Sequence, residues 1–298
     1  MTELRATLIG STAVLLWGAL ALFTTWTGEI PPFQLVAMTF SMAFLLAAVK
    51  WVIRGEPVTR HLRHDWPVWA LGVLGLFGYH FFYFMALRNA PAVDASLIAY
   101  LWPLLIVVFS ALLPGESLRW YHLAGALLGL GGCALLVTNG GQIQFRNEYL
   151  TGYLAAMACA LTWSTYSVVS RKFGKVPTDT VGWFCGATAL LGLFCHLLFE
   201  TTVWPGNWAE WLAVIGLGLG PVGAAFFTWD IGVKRGNIKA LGAFSYAAPL
   251  LSALLLILFG QAQASWPVLA ACLAIVGGAV LAAKDMFFRR KALKMARA

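Results

Sequence analysis

Several aromatic side chains in this sequence carry a polar tip into segments that are otherwise apolar. Trp17 and Trp163 lie deep in long hydrophobic runs; Tyr79, His80 and Tyr83 crowd together in "GLFGYHFFYFMAL"; Tyr100 and Trp102 lead into Pro103 in "IAYLWPLLIVV". Tyr166 follows three residues after Trp163, and Ser245 and Tyr246 lead into Pro249 in "FSYAAPLL". Indole and phenol groups combine a flat apolar face with a hydrogen-bonding edge, which suits holding a small amphipathic molecule rather than making or breaking bonds. In hydrocarbon such groups, and imidazole with them, are costly and turn toward a bundle interior. Tyr79 and Tyr83, four residues apart, share one helical face. Each proline removes a main-chain hydrogen bond and crowds the carbonyl four residues earlier, so a proline in mid-helix bends the chain or frees polar backbone. Freed backbone must face protein or a water-filled cavity in a membrane. Trp17, Tyr79, His80, Tyr83, Tyr100, Trp102, Trp163, Tyr166, Ser245 and Tyr246 are therefore the candidate binding residues, and Pro103 and Pro249 the candidate hinges.

Other chemistries lack their residues. There is no GxxxxGK[ST] phosphate loop, so the sequence gives no sign of direct ATP drive and calls for no ATP-binding partner. No paired carboxylates, metal-ligand spacing or nucleophile–base pair suggests an enzyme, a metal or a cofactor. The five cysteines (Cys133, Cys159, Cys185, Cys195, Cys272) fall inside apolar runs without CxxC or zinc-finger spacing and read as small hydrophobes. Asp230 is the one evident acid inside an apolar segment, with Lys234 spaced to pair with it one turn later.

The elements that must position these residues follow from composition. Of 298 residues 60% are hydrophobic and 11% charged, against about 25% charged in soluble domains. The net charge of +8 sits in short clusters between apolar runs, which points to membrane flanks rather than nucleic acid. Those runs have the length that a hydrocarbon core of roughly 30 Å demands. They predict ten helices, near 6–26, 33–53, 66–87, 92–113, 120–138, 150–170, 180–199, 211–233, 240–260 and 265–284. The first run meets bulky residues where a signal-peptide cleavage site would lie, so it is read as a span. With the N-terminus inside, 18 of the 20 Lys and Arg flank the cytoplasmic ends and only Arg88 and Arg146 face outward. That skew predicts a multi-pass protein of a bacterial-type inner membrane with both termini cytoplasmic.

The pattern is also duplicated. An offset of 146 residues, with no gap, carries Trp17 onto Trp163, Gly72 onto Gly218, Phe81 onto Phe227, Tyr100 onto Tyr246, Pro103 onto Pro249 and Trp120 onto Trp266. Five helices per half invert the second copy relative to the first, an arrangement typical of transporters. The predicted organisation is a five-helix repeat over 1–138, a connecting loop over 139–149, a second repeat over 150–284 and a basic cytoplasmic tail over 285–298. "LLWG" at Leu15–Gly18 is answered by "LTWS" at Leu161–Ser164, and "LAGALLGLGGCALLV" by "LAACLAIVGGAVLA". With the proline-bearing fourth helix of each half, these resemble the EamA-like branch of the drug/metabolite transporter superfamily. The resemblance implies a carrier of small organic molecules working by alternating access. Lys and Arg sit almost wholly at the flanks, which disfavours anionic cargo such as nucleotide sugars. The aromatic set favours amino acids, aromatic ones included, as in the aromatic amino acid exporters the chain resembles. Drug-like organic cations are the alternative, since aromatic faces also hold cations.

Overall fold

The computed structural model describes residues 1–141 and 145–284, and the basic tail expected over 285–298 lies outside the described residues. It is built from helices, with no strand among the described residues. In chain order these are α1 (Glu3–Thr25), α2 (Pro32–Ile53), α3 (Trp66–Asn89), α4 (Ala92–Ser110), α5 (Trp120–Thr138), α6 (Leu150–Ser170), α7 (Thr180–Phe199), α8 (Trp208–Arg235), α9 (Ile238–Leu258) and α10 (Trp266–Ala282). Eight of them are long and apolar enough to cross a membrane; α10 is shorter, at 17 residues, and α6 carries the polar run "TWSTYS" that lowers its mean hydropathy.

Several of these helices are interrupted, and the interruptions of α3 and α4 match those of α8 and α9. The helical pattern of α3 widens into a π turn over Leu74–Gly78, and that of α8 over Gly220–Ala224, 146 residues later. Gly75 and Gly78 in the first segment and Pro221 in the second weaken the regular ladder, the usual circumstance in which such bulges arise. α4 is broken between Ala99 and Trp102, and α9 between Phe244 and Ala247. Each break lies just ahead of its proline because Pro103 and Pro249 have no N–H to return to the preceding turn. α1 breaks once as well, after Gly18, where a side chain would collide with Leu251 of α9.

The closest packing joins one half to the other: α1 with α8, α3 with α6, α2 with α7 and α5 with α10. Small residues permit it. A Cβ on Gly125 of α5 would stand 2.4 Å from the Gly278 carbonyl of α10, so backbone meets backbone there, the small-residue contact common between membrane helices. All five cysteines are free thiols.

Trp51, Trp66, Trp69, Trp204, Trp208 and Trp266 lie near the ends of apolar runs, where the sequence predicts an interfacial belt. Trp66, Trp204, Trp208 and Trp266 are exposed, as members of an interfacial belt would be; Trp69 is half-buried against Phe184, and Trp51 is fully buried. Its ring stacks on Trp183 of α7 at 6.2 Å and on His61 at 5.2 Å, the latter because the connection between α2 and α3 folds back over the end of α2.

Candidate functional site

The center of the bundle is a cluster of four indole rings drawn from four helices. Trp17 of α1 lies 5.6 Å from Trp163 of α6, 6.1 Å from Trp102 of α4 and 5.1 Å from Trp229 of α8. Trp163 and Trp229 stack at 6.2 Å with their planes 21° apart, and Trp102 meets both edge-on. Such edge-to-face and offset geometries suit the ring quadrupoles. Two indole edges find polar partners, one of them at an interruption. Trp17 Nε1 donates to the Pro221 carbonyl in the α8 π turn at 3.0 Å, and Trp229 Nε1 donates to Ser167 Oγ at 3.0 Å.

α3 adds the polar aromatics. Tyr79 lies 5.6 Å from Trp163 and stacks on Tyr83 at 6.2 Å, as their shared helical face requires. Tyr83 Oη comes within 3.4 Å of Ser96 Oγ on α4. His80 packs edge-on against Phe40 of α2 at 5.1 Å, and its Nδ1 lies 2.7 Å from the Leu76 carbonyl of the π turn. The histidine thus spends one ring nitrogen on a carbonyl of its own helix. Tyr166 lies 5.1 Å from Trp163, and its ring fills the space that Gly75 leaves open on α3.

Not all the candidates converge. Trp17, Tyr79, His80, Tyr83, Trp102, Trp163 and Tyr166 form one contiguous network, but Tyr246 belongs to a second cluster with Cys133, Leu250, Ala271 and Ile275, against which Tyr100 packs. Tyr246 Oη accepts the Leu104 N–H at 3.2 Å, so a side chain from α9 caps the broken backbone of α4. Ser245 donates to the Leu241 carbonyl at 2.7 Å, its hydroxyl turned back onto α9. Pro103 and Pro249 are buried beside the two breaks. The aromatic cavity expected from the sequence is, in this conformation, a set of rings in mutual contact.

Members of the network that were not among the candidates include Trp229, Phe226 and Phe40. Phe226 stacks on Phe40 at 5.4 Å and lies 5.7 Å from Trp163. The signal for two of them was available, since the 146-residue offset carries Tyr83 onto Trp229 and His80 onto Phe226. One grouping of metal-ligand atoms occurs among the described residues, Glu56, His61 and Asp179. Lys50 pairs with Asp179, and Arg60 lies 3.8 Å from Glu56, so protein cations already offset both acids.

Charged groups gather at the end of the bundle bearing the α4–α5, α6–α7 and α8–α9 connections. Glu116, between α4 and α5, lies 3.2 Å from Arg171 and 2.8 Å from Lys239, joining the first half to the second. At the opposite end Glu200 accepts the N–H groups of Phe33 and Gln34 at the start of α2, with Arg88 at 3.4 Å.

Two stretches of the chain, 4–138 and 150–283, each match the EamA-like transporter family. The chain is 56% identical over 283 residues, 95% of its length and 98% of the relative's, to the aromatic amino acid exporter YddG of Ancylobacter novellus. It is 25% identical to the exporter of the same name in Escherichia coli, over 94% of this chain and 97% of that one. A crystal structure of a protein 56% identical to it superposes with a TM-score of 0.88, over 93% of this chain and 97% of that one. Repeated helix breaks and central rings thus coincide with a family match spanning both halves: the chain belongs to the EamA-like transporter family.

Proposed function

We propose that this protein exports amino acids, aromatic ones included, across the inner membrane by alternating access, without ATP. The carrying observation is the network centred on Trp17, Trp102, Trp163 and Trp229, which gathers residues of both halves at the middle of the bundle and offers ring faces to a flat apolar side chain. The near full-length similarity to a protein named as an aromatic amino acid exporter supports the same cargo.

In this reading all ten helices span the membrane, the repeats over 1–138 and 150–284 have opposite orientations, and both termini are cytoplasmic. The matched π turns and helix breaks support it, as does the skew of 18 of 20 Lys and Arg to one side. Reporter tags at residues 30 and 205 are expected to read external and at 60 and 175 internal; the reverse at any site defeats the topology.

Counterflow in liposomes holding only this protein tests the cargo. Labelled phenylalanine and tryptophan are expected to exchange, with small apolar amino acids slower and organic cations slowest. Organic cations are the weaker reading because a cation taken up by Asp230, the acid beside the cluster, would leave Lys234, 2.9 Å from it, without a counter-charge. Exchange of cations in preference to amino acids would overturn the proposal.

A further inference from the structure

One charged pair stands at the edge of the aromatic network. Asp230 follows Trp229 on α8, and Lys234 lies one turn further on. Their side chains are 3% and 6% exposed, with Nζ 2.9 Å from Oδ1. Each has a second partner in the α6–α7 connection: Thr178 donates to Asp230 Oδ2 at 2.6 Å, and Lys234 donates to the Val176 carbonyl at 3.1 Å. Apolar residues of the same volume would avoid the desolvation of two charges, and ionisable groups inside membrane proteins mark substrate paths.

A third group points the same way. Tyr166 is 2% exposed, yet its hydroxyl has no hydrogen-bond partner of good geometry; its polar neighbours are Ser170 and the Asp230 carboxylate. Tyr166, Ser170, Asp230 and Lys234 line one crevice beneath the indole cluster, with Phe173 and Phe184 on its apolar side. As it stands the crevice has room for about one water.

We propose that this crevice, once widened, is the subsite for the charged head of an amino acid. Asp230 receives the α-ammonium, Lys234 receives the α-carboxylate, and Tyr166 Oη donates to that carboxylate. The aromatic side chain then reaches toward Trp163, which lies 5.1 Å from the Tyr166 ring. The exchange is charge for charge: as Asp230 and Lys234 part, each meets the opposite charge of the zwitterion, so the site stays neutral. The α6–α7 connection covers the crevice through Val176 and Thr178, so the subsite fills from the cytoplasmic end when that connection lifts. The inference rests on the amino acid reading above and adds the groups that recognise the head.

Inside-out membrane vesicles expose this end and provide the test. Uptake of labelled phenylalanine gives its KM, and competition by phenethylamine and by 3-phenylpropionate removes one charged group at a time. Lys234→Gln is expected to erase the preference for phenylalanine over phenethylamine, and Asp230→Asn the preference over 3-phenylpropionate. Each change should be about tenfold, the size of one hydrogen bond to a charged group. Tyr166→Phe leaves no polar partner behind, so it should fold like the wild type. It is expected to raise the KM for phenylalanine while leaving inhibition by phenethylamine unchanged. If Lys234→Gln and Asp230→Asn weaken all three ligands equally, the pair is only a staple for the α6–α7 connection and the subsite is overturned. Should those two variants fail to reach the membrane, Tyr166→Phe decides alone: an unchanged KM overturns the subsite. Wild-type vesicles that take up no phenylalanine would defeat the amino acid reading and the subsite together.

Discussion

The residues just after the two π turns occupy equivalent places in the halves and are built differently. On α3 they are Tyr79, His80 and Tyr83; on α8, at the same offset, they are Ala225, Phe226 and Trp229. The α3 group bonds to its surroundings through a hydroxyl and an imidazole, to Ser96 and to the Leu76 carbonyl. The α8 group presents carbon surface, with one indole edge closed off by Ser167. The backbone repeats while the chemistry does not: just after the π turns the first half offers polar aromatics and the second an apolar surface, with the Asp230–Lys234 pair beyond it on α8. A pocket for an amphipathic molecule needs both, which a strict duplicate could not supply.

The heaviest test of this contrast is Trp229→Ala. Trp229 is fully buried and touches Trp17, Trp102 and Trp163, so truncation should cost about 3–5 kcal/mol. Thermal unfolding in detergent would show it, with aromatic counterflow lost; a variant of wild-type stability would mean that the apolar surface is not structural. Tyr246→Phe comes next, because it leaves the Leu104 N–H without its partner, a loss of about 1–3 kcal/mol for a buried donor. Tyr100→Phe, the equivalent change in the first half, should cost clearly less, since no hydrogen bond joins Tyr100 to Leu250 among the described residues. Equal losses would erase the asymmetry. Trp17→Phe keeps a ring but strips the Pro221 carbonyl of its donor. It should weaken apparent phenylalanine affinity about fivefold, from roughly 1 kcal/mol. The smallest effect is expected from His80→Gln, which should retain most uncoupled uptake because the imidazole is spent on its own helix. Loss of proton-driven flux alone would instead assign His80 to coupling.

Much of this was legible before any coordinates. Hydropathy placed the helices, and the 146-residue offset placed Trp17 opposite Trp163 and Pro103 opposite Pro249. What escaped has a common cause: searching the repeat for identical residues passes over Trp229, whose counterpart is Tyr83, and Phe226, whose counterpart is His80. The π turns were also hidden, since Gly75 and Pro221 share neither identity nor propensity and only the backbone shows their equivalence. Trp51 was misplaced because an apolar run does not say when a following connection will fold back over its end. Nor could spacing reveal that the Tyr246 hydroxyl serves the backbone of α4.

Glu116 adds a kinetic consequence. It ties Arg171 and Lys239 across the halves with two ion pairs, while at the other end Glu200 ties Arg88 and two N–H groups of α2, and Thr25 and Gln261 share a neutral hydrogen bond of 3.0 Å. In the alternating-access reading proposed above, closures of unequal strength leave the empty carrier resting mostly with the weaker end open. Apparent affinity on the rarely open side is then reduced by the fraction of molecules that expose it. For flux without a coupled ion, detailed balance fixes one ratio of maximal rate to KM for both directions. The rarely open side must therefore show the higher KM and, in proportion, the higher maximal rate, so that the carrier stays responsive on that side over concentrations that would already saturate the other.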